Sequence, residues 1–228
     1  MALSTPLKKF TKYHGLGNDF IIIDQRESPF CGDIPALCHR QKGIGADGVI
    51  FIEESKKADL KMRIFNQDGS EAEMCGNGLR CFLDVIKAKG FSVSLIETMQ
   101  RLHRVEGDWV ELGPVIVRGE VIDTGVPHCV FFEPYNQEKA MAVREKENAN
   151  VNFVEVLGED QLFVKTYERG VGETLCCGTG CAAAAYAYGK TWPICVNEAI
   201  SFDLRQGSLW MKGPAVHVFD GVLSHHFL

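Results

Sequence analysis

The chain has no run of five or more basic residues, and its 24 Lys and Arg are outnumbered by 30 Asp and Glu, giving a net charge of -6. With a pI of about 5.7, nucleic acid or an anionic membrane is excluded as a main partner. No apolar stretch approaches the roughly 18 residues of a transmembrane helix, and no signal-peptide core precedes Asn18. The expectation is a soluble, cytoplasmic protein. The nine cysteines lack the regular spacing of a small disulfide scaffold and contain no Cys-x-x-Cys pair, and their count is odd. A reducing compartment fits this usage best.

What the chain does have is a repeated unit. Asn66 to Gly78 and Glu168 to Gly180 superpose without a gap, with nine residues from Asn66 to Cys75 and nine from Glu168 to Cys177. Each segment follows a strand-like run, Leu60 to Phe65 or Leu162 to Tyr167. Each leads through a Cys-Gly-x-Gly turn into a helix-like run, Leu79 to Lys89 or Thr179 to Tyr188. This is an internal duplication of a strand, loop, cysteine and helix.

The flanking segments repeat in the same order. Lys8 to His14 and Phe20 to Asp24 read as strands joined through Gly15-Leu16-Gly17, and Thr124 to His128 turns into Cys129 to Phe132 in the same way. Asp33 is placed to cap a short helix ending near Lys42 and Gly43. Val49 to Glu53 is matched by Phe153 to Val156, and Val196 to Asp203, Ser208 to Lys212 and Val216 to Val222 read as strands. The pattern is poor from Thr98 to Gly107, and the crossover between halves falls within Thr98 to Val121. The predicted fold class is α/β (α+β), with two pseudo-symmetric domains, each a strand-rich mixed sheet wrapped around a central helix. The expected domains are 1–113, with a few C-terminal residues returning to it, and 114–228, with an active site in the cleft between them.

Both Cys75 and Cys177 fall at a helix N-terminus, where unpaired N–H groups and the helix dipole lower a thiol pKa from its usual value near about 8.5. The adjacent glycines let a carboxylate approach those N–H groups closely. If both helices point at one small amino acid, a thiolate on one face can take the α-proton while a thiol on the other face returns one. That gives inversion without a cofactor. Other readings of the cysteines remain: Cys31, Cys38, Cys81, Cys129 and Cys195 as small buried apolar residues, a zinc site around Cys176, Cys177 and Cys181, and a dithiol redox or binding protein.

The chain resembles the diaminopimelate epimerases, pyridoxal-independent enzymes of lysine and peptidoglycan precursor synthesis. The similarity rests on His14 to Phe20, Gly43 to Gly48, Phe65 to Ser70, Cys75 to Gly78, Asn150 to Phe153, Glu168 to Thr174, Cys177 to Gly180 and Gly213 to Ala215. Proline racemase and the phenazine-biosynthesis isomerases share the fold. The resemblance implies Cys75 and Cys177 as the two bases, interconverting LL- and meso-2,6-diaminopimelate with no metal and no cofactor. It implies that Asn18, Gly76, Asn77, Gly178 and Thr179 bind the reacting amino and carboxylate groups. Asn66, Asn152, Glu168 and Arg169 would hold the distal end, and His128 and Glu168 would orient the thiols. The partner it implies is an amino-acid substrate, with a homodimer as a possible assembly.

Three features depart from the family pattern. Val126 stands where an asparagine is usual, which weakens discrimination at the distal end and suggests side activity on another amino acid. Cys176 replaces an alanine-like residue before Cys177. The stretches from Ile96 to Val121 and from Pro134 to Asn148 are abbreviated.

Overall fold

The computed structural model describes residues 8–26, 28–168, 172–174, 177–197, 199–224 and 227, the backbone alone at 172–174. The chain divides into two compact units, one of Met1–Val105 with Ala215–Leu228 and one of Glu106–Pro214.

The first unit contains β1 (Lys9–Gly15), β2 (Asn18–Asp24), α1 (Ile34–Cys38), β3 (Gly48–Glu53), β4 (Leu60–Asn66), β5 (Glu71–Ala72), α2 (Gly76–Ala88), β6 (Leu95–Glu97) and β7 (Leu102–Glu106), with β18 (Val216–Val222) from the end of the chain. The strand order is β18-β1-β2-β3-β4-β6-β7, parallel only at β2/β3 and β4/β6. β5 takes the other end of the edge of β4 that β6 occupies. Phe20 to Ile23 and Val49 to Ile52 are buried without alternation, because this parallel pair is covered on both faces. One face carries α2, which packs on β1 to β4 through Leu79, Phe82, Val85 and Ile86. The other carries Leu37 and Cys38 of α1 with Phe10, Ile21, Ile23, Val49, Phe51 and Leu223.

α1 stops at Cys38 rather than near Lys42 and Gly43, because the chain doubles back. Ile44 and Gly45 both donate from their backbone N–H to the Leu37 carbonyl, and a Cβ at Gly43 would sit 2.1 Å from the Ala36 oxygen. Only glycine fits that approach.

The second unit contains β8 (Trp109–Pro114), β9 (Ile116–Arg118), β10 (Val121–Asp123), β11 (Pro127–Phe131), α3 (Gln137–Glu147), β12 (Asn150–Val156), β13 (Gln161–Glu168), β14 (Gly172–Thr174), α4 (Gly178–Tyr188), β15 (Ile194–Val196), β16 (Ile200–Arg205) and β17 (Ser208–Lys212). Its strand order is β9-β10-β11-β12-β13-β15-β16-β17-β8, parallel only at β11/β12 and β13/β15, with β14 on the far end of β13. From β10 to β16 this repeats the pairing of β1 to β7. Within each sheet, a cysteine-led helix follows the short strand that edges the fourth strand of the repeat.

The unit boundary lies at Val105/Glu106, ahead of the expected end at residue 113, because β8 pairs antiparallel with β17. α4 differs from α2 in how it is enclosed. Cys181 to Ala185 are all fully buried, and the helix packs on β10 to β13 and on β15 to β17. Alanines on every side let strands close around the helix backbone. α3 covers the outer face of β12, with Ala140 against Val151 and Phe153.

Candidate active site

In the first unit the β1/β2 turn, with Leu16 and Gly17 at positive φ, delivers Asn18 beside the first turn of α2. Gly15 permits the approach: a Cβ there would lie 3.1 Å from the Arg80 guanidinium and 3.3 Å from the Asn77 carbonyl. Cys75 is the N-cap of α2, and its half-buried Sγ accepts from the Gly78 N–H at 3.4 Å. The thiol faces Asn18 Oδ1 at 3.7 Å, and Asn77 Nδ2 donates to the same oxygen at 3.2 Å. Behind Asn18 lies a charged cluster. Asn18 Nδ2 donates to Asp47 (2.8 Å), Arg40 donates to both Asp47 and Asp19, and Lys12 pairs with Asp19 (2.7 Å). Burial alone would raise the Asp19 carboxyl, but hydrogen bonds from Arg40 and Lys12 hold it well below the usual carboxylate range.

In the second unit Cys177 is the N-cap of α4, and its Sγ lies 3.3 Å from Thr179 Oγ1. That hydroxyl is 3.0 Å from His128 Nε2, and His128 Nδ1 is 3.0 Å from Asn152 Nδ2. Asn152 Nδ2 also donates to the Cys129 carbonyl, while its Oδ1 accepts from Thr166 Oγ1. The carbonyl can only accept, so the amide nitrogen must face it, and His128 Nδ1 must then carry the lone pair. Nε2–H therefore donates to Thr179 Oγ1, which leaves that hydroxyl's own proton available to the Cys177 sulfur. Burial pushes His128 down to about 3, so the ring stays neutral and the chain keeps this direction. Gly180 is required here as well: a Cβ would lie 2.3 Å from Asn152 Oδ1.

The residues singled out in the sequence therefore fall into separate groups. Asn18, Gly76 and Asn77 gather at Cys75, and Gly178, Thr179 and His128 at Cys177. Asn66 is exposed at the end of β4 and donates from Nδ2 to Ser70 Oγ, closing the turn to β5. Asn152 is fully buried behind His128, and the structure places it in support of the ring rather than at a substrate's distal end. Asn150, two residues earlier on the same face of β12, is half-buried, and because residues two apart share a face, strand parity could not have distinguished it from Asn152. Glu168 is half-buried at the end of β13. Arg169 and Cys176 lie outside the described residues. Sequence reasoning missed Asp47, Arg40, Arg80 and Thr166. The Asp47 position was visible only as part of a glycine-rich turn. Among the described residues no cluster of three or more His, Cys, Asp or Glu side chains is placed to hold a metal ion, and no helix is long and apolar enough to cross a membrane.

The family profile described as diaminopimelate epimerase matches residues 10–99 and 120–213, both cysteine segments included. The chain belongs to the diaminopimelate epimerase family. It is 35% identical to the diaminopimelate epimerase of Moorella thermoacetica, over 93% of this chain and 98% of the relative. It is 36% identical to that of Archaeoglobus fulgidus, over 94% and 95%. The first alignment runs over 277 positions, more than the 228 residues of the chain, so the relative has segments that this member of the family lacks. Among solved structures, a predicted epimerase from Pseudomonas aeruginosa superposes with a TM-score of 0.67 at 13% identity, covering 95% of this chain and 99% of that one. A hydroxyproline epimerase from Agrobacterium vitis gives 0.61 at 14% identity, covering 98% and 94%. These two share the fold.

Proposed function

We propose that the protein is a cofactor-independent isomerase that interconverts LL- and meso-2,6-diaminopimelate in the cytoplasm, on the route to lysine and peptidoglycan precursors. The observation that carries this reading is the pair of cysteines. Each is the N-cap of a buried helix at the same point of a duplicated sheet, in a chain whose family profile spans both.

In the proposed reaction, Cys75 and Cys177 meet one α-carbon from opposite faces. The thiolate takes the α-proton and the C–H electron pair passes into the carboxylate, giving an enediolate. The opposite thiol then protonates the carbon, leaving the thiol and thiolate exchanged. The N–H groups of Gly76, Asn77, Gly178 and Thr179 at the two helix ends hold the carboxylate, and they stabilise it most when the negative charge grows there. His128, kept neutral, orients Thr179 toward Cys177. Asn66, Glu168 and Arg169 hold the distal amino and carboxylate groups, and Val126 leaves that end less tightly gripped, so L-glutamate, L-aspartate or L-lysine is turned over as a side substrate. A homodimer is the proposed assembly.

The test is incubation of the purified, reduced protein with each of these amino acids in deuterated water. Diaminopimelate should invert and gain one α-deuterium. Exchange with another amino acid but not with diaminopimelate would make the protein a racemase of the same fold. A lack of exchange with every one would favour a dithiol redox or binding protein and remove the proposal.

A further inference from the structure

We infer that Asp47 is a positioning residue for the first thiol: it fixes which end of the Asn18 amide faces Cys75. The inference rests on the reading of Cys75 as a catalytic base for its effect on turnover, while its geometry stands on the first unit alone.

A carboxylate accepts hydrogen bonds and donates none. Asp47 Oδ2 takes the Asn18 amide nitrogen at 2.8 Å and the Asp19 backbone N–H at 3.1 Å, and its Oδ1 takes Arg40 at 2.6 Å. Asp47 is itself held, since its N–H donates to the Asp19 carbonyl at 2.9 Å and Asp19 is clamped by Lys12 and Arg40. Asn18 must therefore turn its oxygen toward Asn77 Nδ2 and Cys75 Sγ. The orientation of Asn77 is fixed from the other side, because the buried Arg80 guanidinium, which can only donate, gives a hydrogen bond to Asn77 Oδ1 at 2.8 Å.

The result is a one-way chain, Arg80 to Asn77 to Asn18 to Asp47, with a cation at one end and an anion at the other. It presents a carbonyl oxygen to Cys75, which favours the S–H form there. An inverted amide would present N–H and favour the thiolate. The charged and titratable groups around this chain are Arg80 and Cys81 on α2, Lys12 on β1, Asp19 on β2, and Arg40 and Asp47 in the segment before β3. At the matching position the second unit has Val126 in place of the amide. Val126 stands two residues before His128, as Asn18 stands two before Phe20, where the matching strands pair with Asn150 and Gly48. There the Cys177 thiol instead meets a hydroxyl that can donate to it, Thr179 Oγ1 at 3.3 Å. Asp47 thus makes the two thiols unlike, holding Cys75 as the proton donor of the resting enzyme.

The test is Asp47→Asn, read by peptide-resolved iodoacetamide labelling of the reduced protein at fixed pH. Labelling of Cys75 should rise about tenfold, as expected for a one-unit fall in thiol pKa, with Cys177 unchanged and kcat for diaminopimelate reduced more than KM is altered. Cys81, fully buried, stays unlabelled while the variant is folded. If it becomes labelled, Arg40→Gln decides instead, with an expected rise at Cys75 of about threefold. Unchanged labelling of Cys75, or an equal change at Cys177, overturns the inference. Labelling needs no turnover, so this result is independent of whether diaminopimelate proves to be the substrate.

Discussion

The two ring nitrogens of His128 link Asn152 to Thr179, the residue whose hydroxyl meets Cys177. His128 has its ring buried and its pKa pushed down to about 3 by that burial, from 6.5. Between those values the unfolded chain binds a proton that the folded chain refuses. Stability therefore rises with pH across this window and is complete above it, at up to about 1.4 kcal/mol per pH unit from this group. Asp19 acts in the same sense at lower pH: its carboxyl is held below 3.8 by Arg40 and Lys12 against burial, so its contribution is lost as pH falls through that range. Urea titrations between pH 4 and 6.5 should show a shallower slope for His128→Gln than for the parent. Coincident slopes would mean that the imidazole is not held neutral.

At the scale of elements, the first turn of α4 depends on the absence of one side chain. Gly180→Ala would press a methyl against Asn152 Oδ1 at 2.3 Å and Thr166 Oγ1 at 3.0 Å. The expected loss is about 1–3 kcal/mol in urea unfolding. Gly158→Ala, whose Cβ meets only Gln161 at 3.8 Å, should stay within about 0.5 kcal/mol. Most strands were legible because half-buried β4 alternates and doubly covered β2 and β3 run apolar. The two cysteine-led helices were legible from their glycine turns, although Gly76 and Asn77 were expected before α2 and lie inside it.

α3 was not expected, since Gln137–Glu147 is mostly charged and buries only Ala140. Its signals were the caps: Asn136 accepts from Lys139 N–H, and Asn148 closes the helix at φ 49. The pattern is poor from Thr98 to Gly107 and the crossover was expected within Thr98 to Val121, yet this stretch forms β7 to β9. β8 owes its place to β17, far along the chain, a pairing that no local pattern records. The same holds for the site. Cysteine, glycine and asparagine types marked it, but the partners of Asn18 and Asn152 are set by tertiary pairing, so Asp47 and Thr166 went unseen and Asn152 was assigned to the substrate rather than to His128.

Taken whole, the molecule is one pairing scheme built twice, with unlike chemistry behind each cysteine. The first unit backs its thiol with an amide and an ion-pair cluster, the second with a hydroxyl and a neutral imidazole. The proposed reaction, which removes a proton on one face and returns it on the other, uses both sulfurs, and among the described residues each unit has one cysteine at a helix N-cap. The most direct measurement is the rate of LL- to meso-diaminopimelate conversion by Cys75→Ser and Cys177→Ser, each compared with the parent under reducing conditions. Each variant should fold and lose on the order of a hundredfold or more in kcat, the range for removing a positioned acid or base. Full activity in either one would contradict the account.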